Sequence, residues 1–308
     1  MSYSTPSIDW YLVGSNLRAL AARSRAQYST SEVWATSAAK GASMGDLFLA
    51  NQRLPSNVVF DLDGVVFLGG DTIPGSGEAL SAIAARGTRI VFATNNATRT
   101  TGYIAARIET GTGYTPGADA IATSATSAAA ALGPDDDPIL VIGEAGLLET
   151  LSTAGRIITN QAAAATTVIV GLDREVTYDK LERASTAIRG GARFVATNTD
   201  VTFPTPGGPV PGAGTIVAAV AAASGKEPDV MGKPHPAMVQ HVEALLADGD
   251  TWMVGDRPET DLALARVAGW TAVLTLTGIT TDRAEVAPEY EPDLVIESSA
   301  DLIDVFAQ

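Results

Sequence analysis

Residues 58–65 read Val58-Val59-Phe60-Asp61-Leu62-Asp63-Gly64-Val65, an apolar run that ends in two acidic residues and a glycine. An unbroken run of β-branched and aromatic residues is typical of a strand buried on both faces, as in a parallel sheet. The glycine lets the chain turn sharply once the strand has ended. The pattern predicts that Asp61 and Asp63 lie at the carboxyl end of a parallel strand, where such sheets bind ligands.

Three further segments have the same design, an apolar strand followed at once by polar residues. They are Val91-Phe92-Ala93 before Thr94-Asn95-Asn96, Val230-Met231 before Gly232-Lys233-Pro234, and Met253-Val254 before Gly255-Asp256. Because the carboxyl ends of neighbouring parallel strands converge on one crevice, we expect the four polar clusters to meet. Together they would supply three or more carboxylates, a hydroxyl, two amides and one ammonium group.

From residue 57 onward, apolar β-rich runs alternate with amphipathic helical patterns, which predicts an α/β fold built on a parallel sheet. Strands of this sheet are expected at residues 58–61, 89–94, 120–123, 230–232, 252–255, 272–276 and 294–296. A second alternating block has strands expected at 138–143, 167–171 and 192–196, and helices expected at 147–153, 178–189 and 214–223. Turn-forming residues flank this block. We therefore predict a core of residues 57–133 and 229–308, with a smaller α/β domain inserted at 134–228.

The first 56 residues do not show this alternation. They are rich in Ser, Thr and Ala, with one helix-like stretch at residues 11–27. This composition predicts an extension that is disordered or loosely attached. An alternative interpretation is that Met44 is the true start of the protein.

Composition excludes several classes of function. The formal net charge of −15 argues against binding to the phosphate backbone of nucleic acid, which requires a basic surface. The absence of cysteine excludes disulfides, thiolate catalysis and sulfur-ligated zinc. No run of ~18 apolar residues suggests a membrane helix, and the start lacks the pattern of a signal peptide. We expect a cytoplasmic protein that binds neither nucleic acid nor membranes. A small phosphorylated metabolite stays open as a partner if a cation screens its charge.

The predicted cluster of side chains suits phosphoryl transfer. Crowded carboxylates repel one another unless a hard cation joins them, and Mg²⁺ prefers oxygen ligands. Asp61 could attack phosphorus as a carboxylate nucleophile, while Asp63 donates a proton and later accepts one. Lys233 and the Thr94-Asn95-Asn96 segment would bind the phosphate, because its developing charge needs donors and cations. Asp256, with Asp261 behind it, would complete the metal site. Asp261 could also cap the helix that begins near residue 262, and the two roles are compatible.

Four segments resemble, in the right order, the motifs of haloacid-dehalogenase-like hydrolases. These are Asp61-Leu62-Asp63-Gly64-Val65, Thr94-Asn95-Asn96, Gly232-Lys233-Pro234, and Gly255-Asp256-Arg257-Pro258-Glu259-Thr260-Asp261. The Thr-Asn-Asn form, the long insert, and Ala196-Thr197-Asn198-Thr199-Asp200 followed by Pro211-Gly212-Ala213-Gly214 resemble the NagD and 4-nitrophenylphosphatase branch, which has a type IIA cap. The match spans roughly residues 57 to 300.

The resemblance implies a Rossmann-like core and a cap, formed by residues 134–228, that closes over the substrate. It implies that Asp61 is the nucleophile and Asp63 the acid/base, and that Mg²⁺ is held by Asp61, the backbone carbonyl of Asp63, and Asp256. The presence of a second acid at Asp63 favours a phosphatase over a dehalogenase. Caps of this kind often pair, so the resemblance also suggests a homodimer through the cap. Where some pyridoxal phosphate phosphatases place a histidine this chain has Phe203, which disfavours that substrate.

The predicted function is Mg²⁺-dependent hydrolysis of a small phosphomonoester through an aspartyl-phosphate intermediate. Two alternatives stay open at this point. A phosphotransferase or mutase would share the same intermediate and pass the phosphoryl group to an alcohol or sugar. A binding protein could keep the fold and the metal pocket without catalysis, although all the catalytic residue types are present.

Overall fold

A computed structural model describes residues 54–117, 119–203, 205 and 207–306, so the expectations for residues 1–53 lie outside the described part of the chain. The strands are β1 Asn57–Phe60, β2 Phe67–Leu68, β3 Asp71–Thr72, β4 Arg89–Thr94, β5 Ile121–Thr123, β6 Ile139–Ile142, β7 Ile158–Thr159, β8 Thr167–Val170, β9 Arg193–Ala196, β10 Thr202–Phe203, β11 Val210–Pro211, β12 Asp229–Val230, β13 Thr251–Gly255, β14 Thr271–Thr275 and β15 Leu294–Ile296. The helices are α1 Ser76–Ala85, α2 Thr101–Thr112, α3 Ser124–Ala131, α4 Ala145–Thr153, α5 Tyr178–Arg189, α6 Ala213–Ser224, α7 Pro236–Glu243, α8 Ala263–Ala268 and α9 Leu302–Phe306.

The first sheet has six parallel strands in the order β15-β14-β13-β1-β4-β5. Strand β1 lies near its middle, and all four residues of β1 are buried, as its unbroken apolar sequence predicts. The predicted α/β class is confirmed. The strand bounds differ from the predicted ones by one residue at some ends, because the hydrogen bonding that ends a strand is not visible in its hydrophobicity.

The second sheet has five strands in the order β12-β9-β8-β6-β7, and its pairs are also parallel. One strand was expected elsewhere. Residues 230–232 were predicted to join the first sheet, but Asp229 pairs with Val195 and Val230 pairs with Ala196, so β12 is an edge strand of the second sheet. An apolar run predicts that a strand forms but not which neighbour it pairs with, and this prediction was wrong for that reason.

Two short antiparallel hairpins, β2–β3 and β10–β11, were not predicted. Their strands have two residues each, too few to show an alternating pattern. The first hairpin begins at Phe67, shortly after Asp63, and the second follows β9. Both therefore begin at the carboxyl end of a sheet strand, beside the site described below.

Separate apolar clusters stabilise the two sheets. One contains Val59, Val91, Met253 and Leu274 from the first sheet, with side chains from α7 and α8. Another contains Val168 and Phe194 from the second sheet, with side chains from α5 and α6. Within the described residues, no helix combines the length and the hydropathy needed to cross a bilayer.

Candidate active site

A cavity of about 570 Å³ lies between the carboxyl ends of the two sheets. The first sheet contributes the residues that follow β1, β4 and β13, which are neighbouring strands. The second contributes residues that follow β8, β9 and β12. Asp61, Asp63, Lys233 and Asp256 all line this cavity, as do the three residues of the Thr94-Asn95-Asn96 segment. The structure thus brings together the predicted polar clusters, although Lys233 arrives from the second sheet and not the first.

Lys233 is buried between two carboxylates. Its Nζ donates to Oδ1 of Asp61 and to Oδ1 of Asp261, each at 2.7 Å. Burial opposes the charge on Lys233, but the two carboxylates outweigh this effect and raise its pKa above the usual value. The ammonium group is therefore charged at neutral pH, next to Asp61.

Asp61, Asp256 and Asp261 form a group of acids whose nearest carboxylate oxygens lie within 4.8 Å of one another. Burial is the largest influence on Asp61 and raises its pKa well above the usual value; Lys233 opposes this shift and Asp261 adds to it. Burial, followed by repulsion from Asp261, raises the pKa of Asp256 to about 6. One ammonium group does not balance the negative charge of three carboxylates, and every atom that these residues offer to a metal is an oxygen. The site therefore fits a hard divalent cation such as Mg²⁺.

Asp261 makes different contacts from the two other acids. Its Oδ1 accepts from Lys233, and its Oδ2 accepts from the backbone N–H of Arg257 at 3.1 Å. Helix α8 begins after Leu262, where no side chain makes a capping hydrogen bond, so Asp261 does not cap that helix. Asp261 is fully buried and, unlike Asp61 and Asp256, does not line the cavity, so it lies behind them and contacts Lys233.

Two glycines make room for Asp256. A Cβ atom added to Gly64 would lie 2.4 Å from Oδ2 of Asp256, and one added to Gly278 would lie 1.9 Å from the same oxygen. Gly64 also has a φ of 92°, which side chains with a Cβ rarely adopt. The backbone N–H of Ile279 donates to Oδ2 of Asp256 at 2.6 Å. The carboxylate is therefore held by backbone on two sides.

The Thr94-Asn95-Asn96 segment is held in place by its own side chains. Asn95 accepts from the backbone N–H of Lys233 at 2.7 Å, and its amide donates to Asp200 at 3.2 Å. Thr94 accepts from the backbone N–H of Asn96 at 3.1 Å. The Asn95 side chain thus joins the ends of β4 and β12, so it serves to fix Lys233 in position. Binding of phosphate by this segment stays a prediction.

Asp63 lines the cavity with an exposed side chain, and its nearest cation was not predicted. Arg107 of α2 has Nη1 at 3.5 Å from Oδ1 of Asp63, and its guanidinium lies 4.0 Å from the centre of the Phe67 ring. A single arginine on an amphipathic helix is usually a solvated residue, so the sequence carried no signal for this contact.

Further cavity residues come from the second sheet and were also not predicted. Arg174 follows β8, and its guanidinium carbon lies 5.3 Å from the centre of the Phe203 ring. Asp200 follows β9 and lies 3.6 Å from Arg257. Asp200 belongs to a segment on which the NagD-like resemblance rests, so the sequence did contain an indication that this residue is functional. Arg174 follows an apolar strand, so its place at a strand end was predictable in the same way as that of Asp61.

Comparisons with known proteins agree with this site. A family model described as haloacid dehalogenase-like hydrolase matches residues 58–156, and one described as HAD-hydrolase-like matches residues 230–302. The dihydroxyacetone phosphatase of Corynebacterium glutamicum is 36% identical over 248 residues, which cover 79% of this chain and 89% of the relative.

Two solved structures are similar along most of the described chain. The glycerol phosphate phosphatase of Mycobacterium tuberculosis in complex with magnesium is 33% identical with a TM-score of 0.74, covering 80% of this chain and 76% of that one. NagD from E. coli K-12 is 30% identical with a TM-score of 0.72, covering 80% of this chain and 98% of that one. The phosphatase names favour an enzyme over a non-catalytic binding protein. The chain therefore belongs to the haloacid dehalogenase-like hydrolases, in the NagD and 4-nitrophenylphosphatase branch, and is a phosphatase.

Proposed function

We propose that this phosphatase hydrolyses a small phosphomonoester, with Mg²⁺ as its cofactor and an aspartyl phosphate on Asp61 as its intermediate. One observation carries the proposal. Asp61 lies on the cavity wall, 2.7 Å from the buried ammonium group of Lys233 and beside Asp256. A nucleophile, a fixed cation and a second acid for the metal are thus in one place.

The proposed cation site uses Asp61 and Asp256 as side-chain ligands, with the backbone carbonyl of Asp63 as the resemblance implies. Asp261 supports Lys233 from behind. When bound, Mg²⁺ neutralises charge on the phosphate oxygens and on the crowded carboxylates. The magnesium complex of the similar glycerol phosphate phosphatase supports this choice of cation.

The reaction has two steps. In the first, an oxygen of Asp61 attacks phosphorus and the bond from phosphorus to the alcohol oxygen breaks, while Asp63 gives its proton to the leaving alcohol. In the second, water attacks the phosphoryl group and Asp63 takes a proton from it, which releases inorganic phosphate and restores Asp61. Lys233 is charged throughout and stabilises the negative charge of both transition states.

We propose that residues 134–228 act as the cap. Leu172, Arg174 and Phe203 from this region line the cavity, which supports a role in enclosing the substrate. Since β12 pairs within the second sheet, the boundary proposed at residue 228 moves to the end of that strand at Val230. The pairing of two caps and the cytoplasmic location stay predictions.

The names of similar proteins guide the choice of substrate. One relative is a dihydroxyacetone phosphatase and a similar structure is a glycerol phosphate phosphatase. A cavity of about 570 Å³ is in the usual range for small-molecule sites. We therefore propose small polyol and keto phosphates as the substrate class.

The test is release of inorganic phosphate from 4-nitrophenyl phosphate and from glycerol 3-phosphate. We expect steady turnover with Mg²⁺ and loss of turnover when the cation is chelated. The phosphotransferase alternative is tested in the same assay with added glycerol or sugar. If the phosphoryl group passes to the added alcohol in preference to water, the hydrolase proposal is wrong.

The acids also predict how Mg²⁺ stabilises the protein. The pKa of Asp256 is about 6 in the folded protein, whereas an unfolded Asp titrates near ~3.9. The folded state binds more protons between these values, so the free energy of unfolding without metal falls as pH rises through this window. Mg²⁺ binds the ionised form. It should therefore raise Tm by several degrees at pH ~8 and by less at pH ~5.

Thermal unfolding at the two pH values, with and without Mg²⁺, measures this difference. The Asp256→Asn variant is the control, since it should lose most of the gain at pH ~8. An equal gain in Tm at both pH values would contradict the proposed cation site.

A further inference from the structure

The charges around the cavity are paired. Among the described residues, each cation that lines the cavity has an acidic neighbour: Arg107 has Asp63 at 3.5 Å, Lys233 has Asp61 and Asp261 at 2.7 Å, Arg174 has Glu144 at 2.6 Å, and Arg257 has Asp200 at 3.6 Å. With Asp256 added, the acids outnumber the cations by two when all are ionised. One Mg²⁺ ion would balance that excess.

Arg174 differs from the other cations because its acidic partner, Glu144, neither takes part in the proposed chemistry nor contacts the Asn95 side chain, as Asp200 does. Glu144 and Arg174 follow β6 and β8, which are neighbouring strands of the second sheet. Oε1 of Glu144 accepts from Nη1 of Arg174 at 2.6 Å and from its backbone N–H at 3.4 Å. The backbone N–H of Glu144 donates to the carbonyl of Leu172 at 3.1 Å. The pair is thus anchored on both sides, and the Arg174 side chain stays 55% exposed at the cavity.

We propose that the Arg174–Glu144 ion pair makes this phosphatase select phosphomonoesters whose far end is an uncharged hydroxyl or carbonyl group, and reject those that end in a carboxylate. This inference rests on the proposed function and narrows its substrate class. Arg174 offers N–H donors to a substrate oxygen, since a guanidinium has five and Glu144 engages only one of its nitrogens. It offers no net charge, because Glu144 cancels it.

The preference for an uncharged far end follows from charge balance. The phosphate group of any substrate meets Lys233 and the cation site. A second anion at the other end of the molecule, placed against Arg174, would meet it together with Glu144, so it would lose part of its hydration without gaining an unpaired cation. A hydroxyl or carbonyl loses less hydration and accepts the same hydrogen bonds. The ion pair therefore acts as a specificity filter at the cap side of the cavity.

Glycerol 3-phosphate and 3-phosphoglycerate make a matched pair of probes. They share a three-carbon skeleton and differ in whether the far end is an alcohol or a carboxylate. We expect wild-type kcat/KM to favour glycerol 3-phosphate by at least about tenfold, which corresponds to ~1.4 kcal/mol. Release of phosphate from both compounds, in saturating Mg²⁺, measures the ratio.

Two variants should move this ratio in opposite directions. Glu144→Gln keeps the oxygen that accepts from Arg174 but removes its charge, so the unbalanced guanidinium should shift the ratio toward 3-phosphoglycerate by about fivefold. This gain should shrink in ~1 M salt, where charges are screened beyond ~3 Å. Arg174→Gln leaves Glu144 unpaired and should shift the ratio further toward glycerol 3-phosphate. Asp179→Asn, which breaks an exposed ion pair with Arg183 on α5, is the control and should leave the ratio unchanged.

The two variants should shift the kcat/KM ratio in opposite directions, and a general loss of structure would not produce that result. A wild-type preference for 3-phosphoglycerate would overturn it, as would variants that shift the ratio in the same direction or by no more than Asp179→Asn. If Glu144→Gln does not fold, the wild-type ratio and the Arg174→Gln variant decide alone. Failure of the proposed function looks different, because no phosphate would then be released from either probe or from 4-nitrophenyl phosphate.

Discussion

Replacing Asp61 with Asn should abolish phosphate release, with kcat lower by at least about 10⁴-fold. The amide keeps the size of the side chain but is not a nucleophile, so the aspartyl phosphate cannot form. The fold should survive. Burial and the neighbouring acids hold the pKa of Asp61 above its usual value, which means that its charge is unfavourable in the metal-free folded state. Removing that charge should therefore leave Tm at pH ~8 unchanged or higher.

Steady-state turnover of 4-nitrophenyl phosphate and thermal unfolding measure the two effects separately. Asp179→Asn makes the same chemical change outside the cavity and should keep wild-type turnover. Rapid mixing with substrate should show phosphorylated protein in the wild type and none in the Asp61→Asn variant. Near-normal Mg²⁺-dependent turnover by Asp61→Asn would rule out the mechanism with Asp61 as nucleophile.

Replacing Lys233 with Met should reduce both activity and stability. The methionine fills a similar volume but leaves Asp61 and Asp261 without their ammonium partner. Breaking a buried ion pair by removing one side typically costs about 3–5 kcal/mol. Turnover should fall by about 10²–10³-fold, as when one group that stabilises transition-state charge is removed.

The loss of stability should depend on pH and on Mg²⁺. Lys233 lowers the pKa of Asp61, so without it the acids bind protons more readily and the folded state is destabilised more at pH ~8 than at pH ~5. Mg²⁺ should recover part of the Tm at pH ~8 without recovering turnover. Lys226→Met, at an exposed position, is the control for loss of a lysine. Lys233→Met protein with wild-type Tm and turnover would contradict the role given to Lys233.

Much of the fold and of the acid cluster could be predicted because both depend on local patterns. An unbroken apolar run makes a strand buried on both faces, and a polar cluster just after it lies at the carboxyl end. Asp61, the Thr94-Asn95-Asn96 segment and Asp256 follow β1, β4 and β13, which are neighbours in the first sheet. Their convergence is a consequence of parallel topology, so no knowledge of distant contacts was needed.

Strand pairing and side-chain partners could not be predicted in the same way. Strand β12 has only two residues, Asp229–Val230, and only its pairing with β9 assigns Lys233 to the end of the second sheet. Asp261 was compatible with a helix-capping role until its contacts with Lys233 and with the backbone of Arg257 were known. Arg107 lies on a helix where the sequence gives no reason to expect an acid beside it.

From the sequence alone, the α/β class, the order of the motifs and the chemical type of the site were already determined, because each follows from residues that are close together in the chain. Only the tertiary structure decided which groups pair across the cavity. Glu144 and Arg174 are 30 residues apart in sequence and 2.6 Å apart in space. Their charges cancel at that distance, and no pattern within either segment carries that information.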